Sequence, residues 1–170
     1  LATVRGTQFN TGDGLRMGIE AGAQVAGHFS GCHAVAWDAS APKFGDRKIG
    51  DLFQKHSYPL GLIVNKAGDR FVDEGADFRN YTYAKYGREI LKQPGQFAWQ
   101  IYDSQVEHLL RDEYRIREVI KVTAGSIEGL LEKLDGVDPV RGQENVSEYN
   151  AADSSVVAFD PDVKDGRQAE

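Results

Sequence analysis

Two short β-prone runs on either side of a five-residue turn constrain this chain more than any other feature. The runs cover residues 60–64 and 70–73, and the turn of residues 65–69 contains Asn65 and Gly68. Asparagine and glycine favour the backbone conformations that reverse a chain between antiparallel strands. The pattern therefore predicts a β-hairpin, and the fold must accommodate at least a small sheet.

Apolar residues at helical spacing predict helices before and after this hairpin. The predicted helices cover residues 14–26 (capped by Thr11 or Asp13), 80–92, 104–114, 126–134 (capped by Ser126), and a stretch that opens at Asp138-Pro139. Further strands are predicted at residues 29–38, 97–102 and 119–122, and the charged end, residues 160–170, is predicted to be loose. Because the strands and helices do not follow a regular βαβ order, the expected fold class is α+β, with a small mixed or antiparallel sheet and flanking helices.

Composition narrows the classes of partner. The formal net charge of −6 over 170 residues gives no general attraction to nucleic acid or to an anionic membrane. The longest apolar runs are too short to span a bilayer. The single cysteine, Cys32, excludes an internal disulfide framework and favours a cytoplasmic location, and the four histidines lack the spacing of a metal site.

Four short motifs could carry chemistry, and each also has an ordinary structural explanation. The turn of residues 11–14 at a helix start could bind an anion or accept ligand hydrogen bonds, or it could simply cap the helix. His33, the cluster of residues 54–56 and Arg79 could bind carboxylates, or they could be a hydrogen-bonded histidine, a solvated turn and a surface ion-pair residue. From the residues alone, the prediction is a soluble α+β domain with a candidate anion site.

The order of five motifs is more informative than any one of them. These are Asn10-Thr11-Gly12-Asp13-Gly14-Leu15 with Gly22-Ala23 after it, residues 62–74 (LIVNKAGDRFVDE), residues 101–103 (IYD), residues 126–130 (SIEGL) and residues 148–150 (EYN). In this order they resemble the FAD-dependent fumarate reductase/succinate dehydrogenase flavoproteins. Within that family, residues 31–38 and 78–86 are most similar to tricarballylate dehydrogenases.

The resemblance implies a set of roles. Thr11, Gly12 and Asp13 would contact FAD. His33 would bind a substrate carboxylate, and Arg79 would exchange a proton with the substrate carbon. Gln54, Lys55 and His56 stand where the family has a Thr-Glu…Arg stretch, and would suit a more heavily carboxylated substrate than succinate. Asn80 follows Arg79 where the family usually has aspartate.

The resemblance also implies that the chain is part of a larger enzyme. The sequence lacks a G-x-G-x-x-G dinucleotide motif. Residues 1–30 would end an FAD-binding domain, residues 31–155 would form the capping domain, and residues 156–170 would return toward the FAD-binding domain. Alone, the chain is expected to be inactive and to bind FAD weakly or not at all. Its expected partners are a polycarboxylate substrate, the missing FAD-binding domain and an electron-transfer partner.

Two other functions fit the residues without redox chemistry. The chain could be a stand-alone module that binds small anions. It could also be an interaction domain that uses the aromatic helix of residues 81–86 as its interface.

Overall fold

A computed structural model describes residues 4–152 of the protein. Its helices and strands, in chain order, are α1 (Asp13–Glu20), β1 (Leu62–Val64), α2 (Arg79–Lys92), β2 (Trp99–Ile101), α3 (Ile127–Leu131) and α4 (Pro139–Ala152). Short 3₁₀ turns lie at Gly50–Phe53, Tyr58–Leu60, Pro94–Gln96, Glu107–Leu109 and Asp112–Tyr114. This arrangement confirms the predicted α+β class.

The sheet of the described residues joins β1 to β2 in antiparallel register, with Ile63 opposite Gln100. The predicted hairpin exists only as a tight turn, in which Asn65 accepts two backbone N–H groups on its side-chain oxygen. A single bridge between Val64 and Arg70 closes it. The prediction of a second strand at residues 70–73 was therefore wrong, because beyond this bridge the Ile63 N–H on that edge of β1 donates to the Glu74 carboxylate and not to a strand.

Of the other local predictions, some are confirmed by the structure and some are wrong. The predictions of α2, β2, α4 and α3 are confirmed, and the Ser126 hydroxyl accepts the Gly129 N–H at the start of α3. α1 is shorter than predicted because the chain turns at Gly22, which has a φ of 91°, and its N-cap is Gly12 without a side-chain cap. Residues 104–114 form 3₁₀ turns, and residues 29–38 and 119–122 form no strand. Residues 160–170 lie outside the described residues.

Two apolar clusters hold the described fold together. One contains Tyr58, Ile63 and Tyr86, and the other contains Leu131, Leu134 and Val137; all six residues are at most 9% exposed. The first joins the sheet to α2, and the second joins it to α3 and the turn that follows α3. Burial of apolar area of this kind is the main favourable term in folding.

Close packing fixes the segment of residues 33–35 across α2. Gly87 is buried in the middle of α2, and a Cβ at this position would collide with the backbone of Ala34 and Val35. Glycine is required here because of the close approach and not because of its φ angle. The contact places His33 beside the first half of α2.

The carboxylate of Glu74 ties β1 to the chain that follows it. Glu74 is 3% exposed, and its two oxygens accept the Ile63 N–H at 2.6 Å and the Arg70 Nε–H at 2.7 Å. The Arg70 guanidinium also lies 5.2 Å from the centre of the Tyr149 ring on α4. This buried ion pair therefore connects the sheet to α4.

No helix among residues 4–152 is long and apolar enough to cross a membrane.

Candidate functional site

A pocket of about 440 Å³ collects positively charged and polar side chains from five parts of the chain. Its lining consists of Arg5, His33, Val35, Gln54, His56, Arg79, Asn80, Tyr83 and Arg111. Four of the residues predicted from the sequence, His33, Gln54, His56 and Arg79, thus meet at one place. Among the described residues that line the pocket, none is an aspartate or a glutamate.

Helix α2 supplies three residues of the pocket lining. Arg79 is its first residue and Asn80 its second, and Tyr83 lies one turn later on the same face. The Tyr83 ring contacts both histidines, with ring centres 5.2 Å from His33 and 5.1 Å from His56. The Arg79 guanidinium lies 5.9 Å from the centre of the same ring. One aromatic side chain therefore orients three of the four predicted residues that meet here.

An extended segment after the turn at Gly50–Phe53 brings in Gln54 and His56. Side chains on extended backbone alternate between opposite faces, and Gln54 has a φ of −65° and a ψ of 153°. Gln54 and His56 consequently face the pocket while Lys55 points away from it. The sequence analysis predicted all three as substrate-binding residues, because their position in the chain alone does not show which side chains face the pocket.

Lys55 is buried on the far side of this segment. Its ammonium group donates to the Glu113 carbonyl at 2.7 Å, lies 3.5 Å from an Asp38 carboxylate oxygen and covers the Tyr114 ring. Burial lowers the pKa of Lys55, and Asp38 opposes this. The structure does not bring Lys55 to the pocket lining, and its predicted contact with substrate stays a prediction.

His56 is buried and has an unused ring nitrogen. Its Nδ1 lies 3.5 Å from Arg79 Nη1, and because arginine can only donate, Nδ1 must accept. Its Nε2 is buried and has no hydrogen-bond partner among the described residues. Burial lowers the pKa of His56, and Arg79, Arg111 and Arg5 lower it further, against the effect of Glu113. The neutral form of the ring is therefore favoured, with its proton on the buried Nε2.

Arg5 and Arg111 line the pocket but were missed from the sequence. Arg5 lies over the Trp37 ring at 5.5 Å, and Arg111 directly precedes the turn at Asp112–Tyr114. Contacts with Asp51 and Ser57, 46 and 54 positions away in the chain, hold Arg5 and Arg111 respectively near the pocket. No local motif surrounds either residue, so a single sequence gives no signal for them.

The predicted FAD contacts lie at the exposed start of α1. The Thr11 hydroxyl donates to Asp13 at 3.2 Å, Arg16 donates to the same carboxylate at 2.9 Å, and Gly12 has a φ of 89°. None of Thr11, Gly12 and Asp13 lines the pocket. Their role in binding FAD stays a prediction.

No group of three or more potential metal ligands is found among residues 4–152. Cys32 is a free, exposed thiol.

The lowered pKa of His56 predicts a pH dependence of stability. The unfolded state takes up the proton near the ordinary value of 6.5, whereas the folded state resists it until the pH is lower. The free energy of unfolding should therefore fall as the pH is lowered through and below 6.5, because the unfolded state binds more protons. Urea unfolding of this chain between pH 8 and pH 5 measures the effect. His56→Gln should remove it and His108→Gln, at an exposed position, should keep it; equal pH profiles for His56→Gln and the unaltered chain would contradict the assignment.

The pocket lining formed by the described residues is cationic, with three arginines and two histidines and no acidic residue. Over 142 residues, 82% of this chain, the sequence is 32% identical to the probable fumarate reductase Ifc3 of Shewanella frigidimarina (strain NCIMB 400). The match covers 22% of that protein, and the chain therefore spans less than a quarter of the length of this curated relative. The similarity supports a flavin-dependent oxidoreductase family of the fumarate reductase type, as the motifs indicated. No family model matches the chain, and no solved structure matches it.

Proposed function

We propose that this chain is the capping portion of a larger FAD-dependent oxidoreductase that dehydrogenates, or reduces, a carbon–carbon bond in a di- or tricarboxylate such as tricarballylate, succinate or fumarate. One observation carries the proposal: three arginines and two histidines share a pocket whose lining has no acidic side chain. Residues 1–30 would belong to the FAD-binding domain, 31–155 to the cap and 156–170 to the return segment. The enzyme would act in the cytoplasm.

Substrate carboxylates would bind to donors on opposite walls. Guanidinium groups form paired hydrogen bonds with carboxylates, and Arg111 and Arg5 offer such groups at the rim. His33 and Gln54 would supply single hydrogen bonds, and His56 would position Arg79 through its Nδ1. A multiply charged acid would thereby be held against Arg79 with its carboxylates separated.

Arg79 would move the proton. In dehydrogenation it would remove a proton from the carbon beside a carboxylate, and in reduction it would return that proton. An arginine is normally protonated. In its usual state Arg79 would therefore be ready to donate a proton, as reduction of the substrate requires. The flavin, when bound, supplies or accepts the hydride. The Tyr83 ring and His56 Nδ1 would keep the Arg79 guanidinium aimed at the substrate.

The turn of Thr11, Gly12 and Asp13 would contact a polar edge of FAD. Gly12 has open space around its Cα, and Asp13 offers a carboxylate that can accept from a hydroxyl or amide. These residues alone form a small contact. Most of the FAD surface would be held by the missing FAD-binding domain, and we expect the isolated chain to bind the cofactor weakly or not at all. Turnover would also need an electron-transfer partner.

A stand-alone anion-binding module is the second candidate, because the pocket is lined within this chain and needs no flavin to form. The aromatic helix offers less support for an interaction domain. Of its three tyrosines only Tyr81 is exposed, at 75%, while Tyr83 lines the pocket and Tyr86 is 2% exposed.

A complete protein that contains this sequence tests the proposal. It should show a flavin spectrum and oxidise or reduce at least one acid from a panel of di- and tricarboxylates. His33→Ala should raise the KM for that acid about tenfold to a hundredfold, the cost of one hydrogen bond to a charged group. His28→Ala, an exposed control whose ring contacts only Ser30 among the polar side chains described, should leave KM unchanged. If the complete protein binds carboxylates but contains no flavin, the redox proposal is overturned in favour of the anion-binding module.

A further inference from the structure

A buried carboxylate lies directly behind the pocket. Glu113 is 2% exposed, and its two oxygens accept the His56 backbone N–H at 2.9 Å and the Arg111 Nε–H at 3.1 Å. It does not line the pocket itself. Glu113 therefore adjoins two pocket residues without being available to bind a ligand.

The segment that contains Glu113 is clamped to the segment that contains His56. The Ser57 N–H donates to the Tyr114 hydroxyl at 2.9 Å, and the Arg111 N–H donates to the Ser57 hydroxyl at 3.1 Å. Lys55 donates to the Glu113 carbonyl at 2.7 Å. With these contacts on both sides, the Glu113 carboxylate is fixed relative to the pocket.

The charges around the pocket can be summed from these contacts. Arg5, Arg79 and Arg111 each contribute +1, and the buried Glu113 contributes −1. The buried Lys55 and Asp38, whose charged groups lie 3.5 Å apart, offset each other. Asp51 also lies 3.4 Å from Arg5, but both side chains are about half exposed, at 44% and 64%, and water screens such a pair. His56 is held neutral, as its lowered pKa indicates. The pocket thus presents a net charge near +2 and not +3.

We propose that Glu113 sets the charge preference of the pocket: by offsetting one of three arginines, it makes the site favour a dianionic carboxylate over a trianionic one. This inference rests on the proposed carboxylate site and refines its substrate class. Glu113 acts through Arg111 and the local field and does not touch the ligand. Without its charge, each additional negative charge on a ligand would meet an uncompensated guanidinium in a partly dehydrated pocket.

Affinities for succinate and tricarballylate, measured at pH 8 by isothermal titration with this chain and by competitive inhibition in the complete protein, test the inference. At this pH histidine side chains with ordinary pKa values are uncharged. Glu113→Gln keeps an oxygen that can accept a hydrogen bond but removes the charge. We expect it to raise the ratio of tricarballylate affinity to succinate affinity roughly tenfold, the order expected for one further charge pair across such a pocket.

Three further variants distinguish an effect of charge from a loss of structure. Arg111→Gln, at a side chain that is 50% exposed, should lower the same ratio by a similar factor. The double variant Arg111→Gln/Glu113→Gln restores the net charge and should return the ratio near its original value. Asp112→Asn removes a neighbouring charge whose side chain is 91% exposed, and should leave the ratio unchanged.

Each outcome is decisive. If Glu113→Gln weakens both acids in parallel, or Arg111→Gln leaves the ratio unchanged, Glu113 is only structural and the inference is overturned. If neither acid binds the unaltered chain or the complete protein, the proposed carboxylate site fails and the inference falls with it. A changed ratio that the double variant restores supports the inference even where Glu113→Gln alone folds poorly.

Discussion

Replacing Arg79 with alanine is expected to lower kcat of the complete oxidoreductase by about 10²- to 10⁴-fold, the usual contribution of a positioned proton donor or acceptor. The reason is geometric. Arg79 begins α2, its guanidinium lies over the Tyr83 ring, and it contacts Nδ1 of His56 in the pocket that Arg5 and Arg111 also line. Steady-state turnover with the preferred carboxylate, together with substrate affinity by titration, measures the effect.

Two further variants separate proton transfer from charge. Arg79→Lys keeps the positive charge but loses the planar fork; we expect it to keep much of the substrate affinity while kcat stays low. Arg88→Ala, at an exposed position on the same helix, should leave both parameters near their original values. If Arg79→Ala raises KM and leaves kcat unchanged, Arg79 only binds carboxylate and does not transfer the proton.

The local structure that the sequence predicted well depends on contacts within a few residues. The periodicity of residues 80–92 and the proline at position 94 define α2 almost to the residue, and Ser126 caps α3 as expected. The strand at residues 70–73 was predicted wrongly because the Glu74 carboxylate, and not a strand, accepts the Ile63 N–H on that edge of β1. Only the tertiary structure shows that Glu74 turns inward while β2 pairs with the opposite edge.

The same distinction between local and distant contacts applies to the residues of the candidate site. Arg79 and His33 were found through motif order, and the fold brings both to one pocket because Gly87 lets residues 33–35 lie across α2. Arg5, Arg111 and Glu113 reach the same place through contacts more than 40 residues away in the chain. Single-sequence patterns contain no signal at that separation, and the net charge of the pocket could therefore not be counted before the structure was known.

Replacing Glu74 with alanine is expected to destabilise this chain by about 3–5 kcal/mol, the cost of removing one partner from a buried ion pair. The variant would leave the Ile63 N–H of β1 without its acceptor and would deprive Arg70, whose side chain is 10% exposed, of its closest carboxylate. Burial raises the pKa of Glu74 in spite of Arg70. The loss therefore comes chiefly from the groups left behind and not from a strongly favourable pair.

Urea unfolding at pH 7 measures this loss, with two comparisons. Glu74→Gln keeps an acceptor for the Ile63 N–H and should destabilise the chain less than alanine does. Glu144→Ala removes a carboxylate that pairs with Arg141 at 3.2 Å on the exposed surface of α4, and should change the free energy of unfolding by about 0.5 kcal/mol or less. If Glu74→Ala costs no more than Glu144→Ala, the pair does not connect β1 to α4, and the sheet must be held by the two apolar clusters alone.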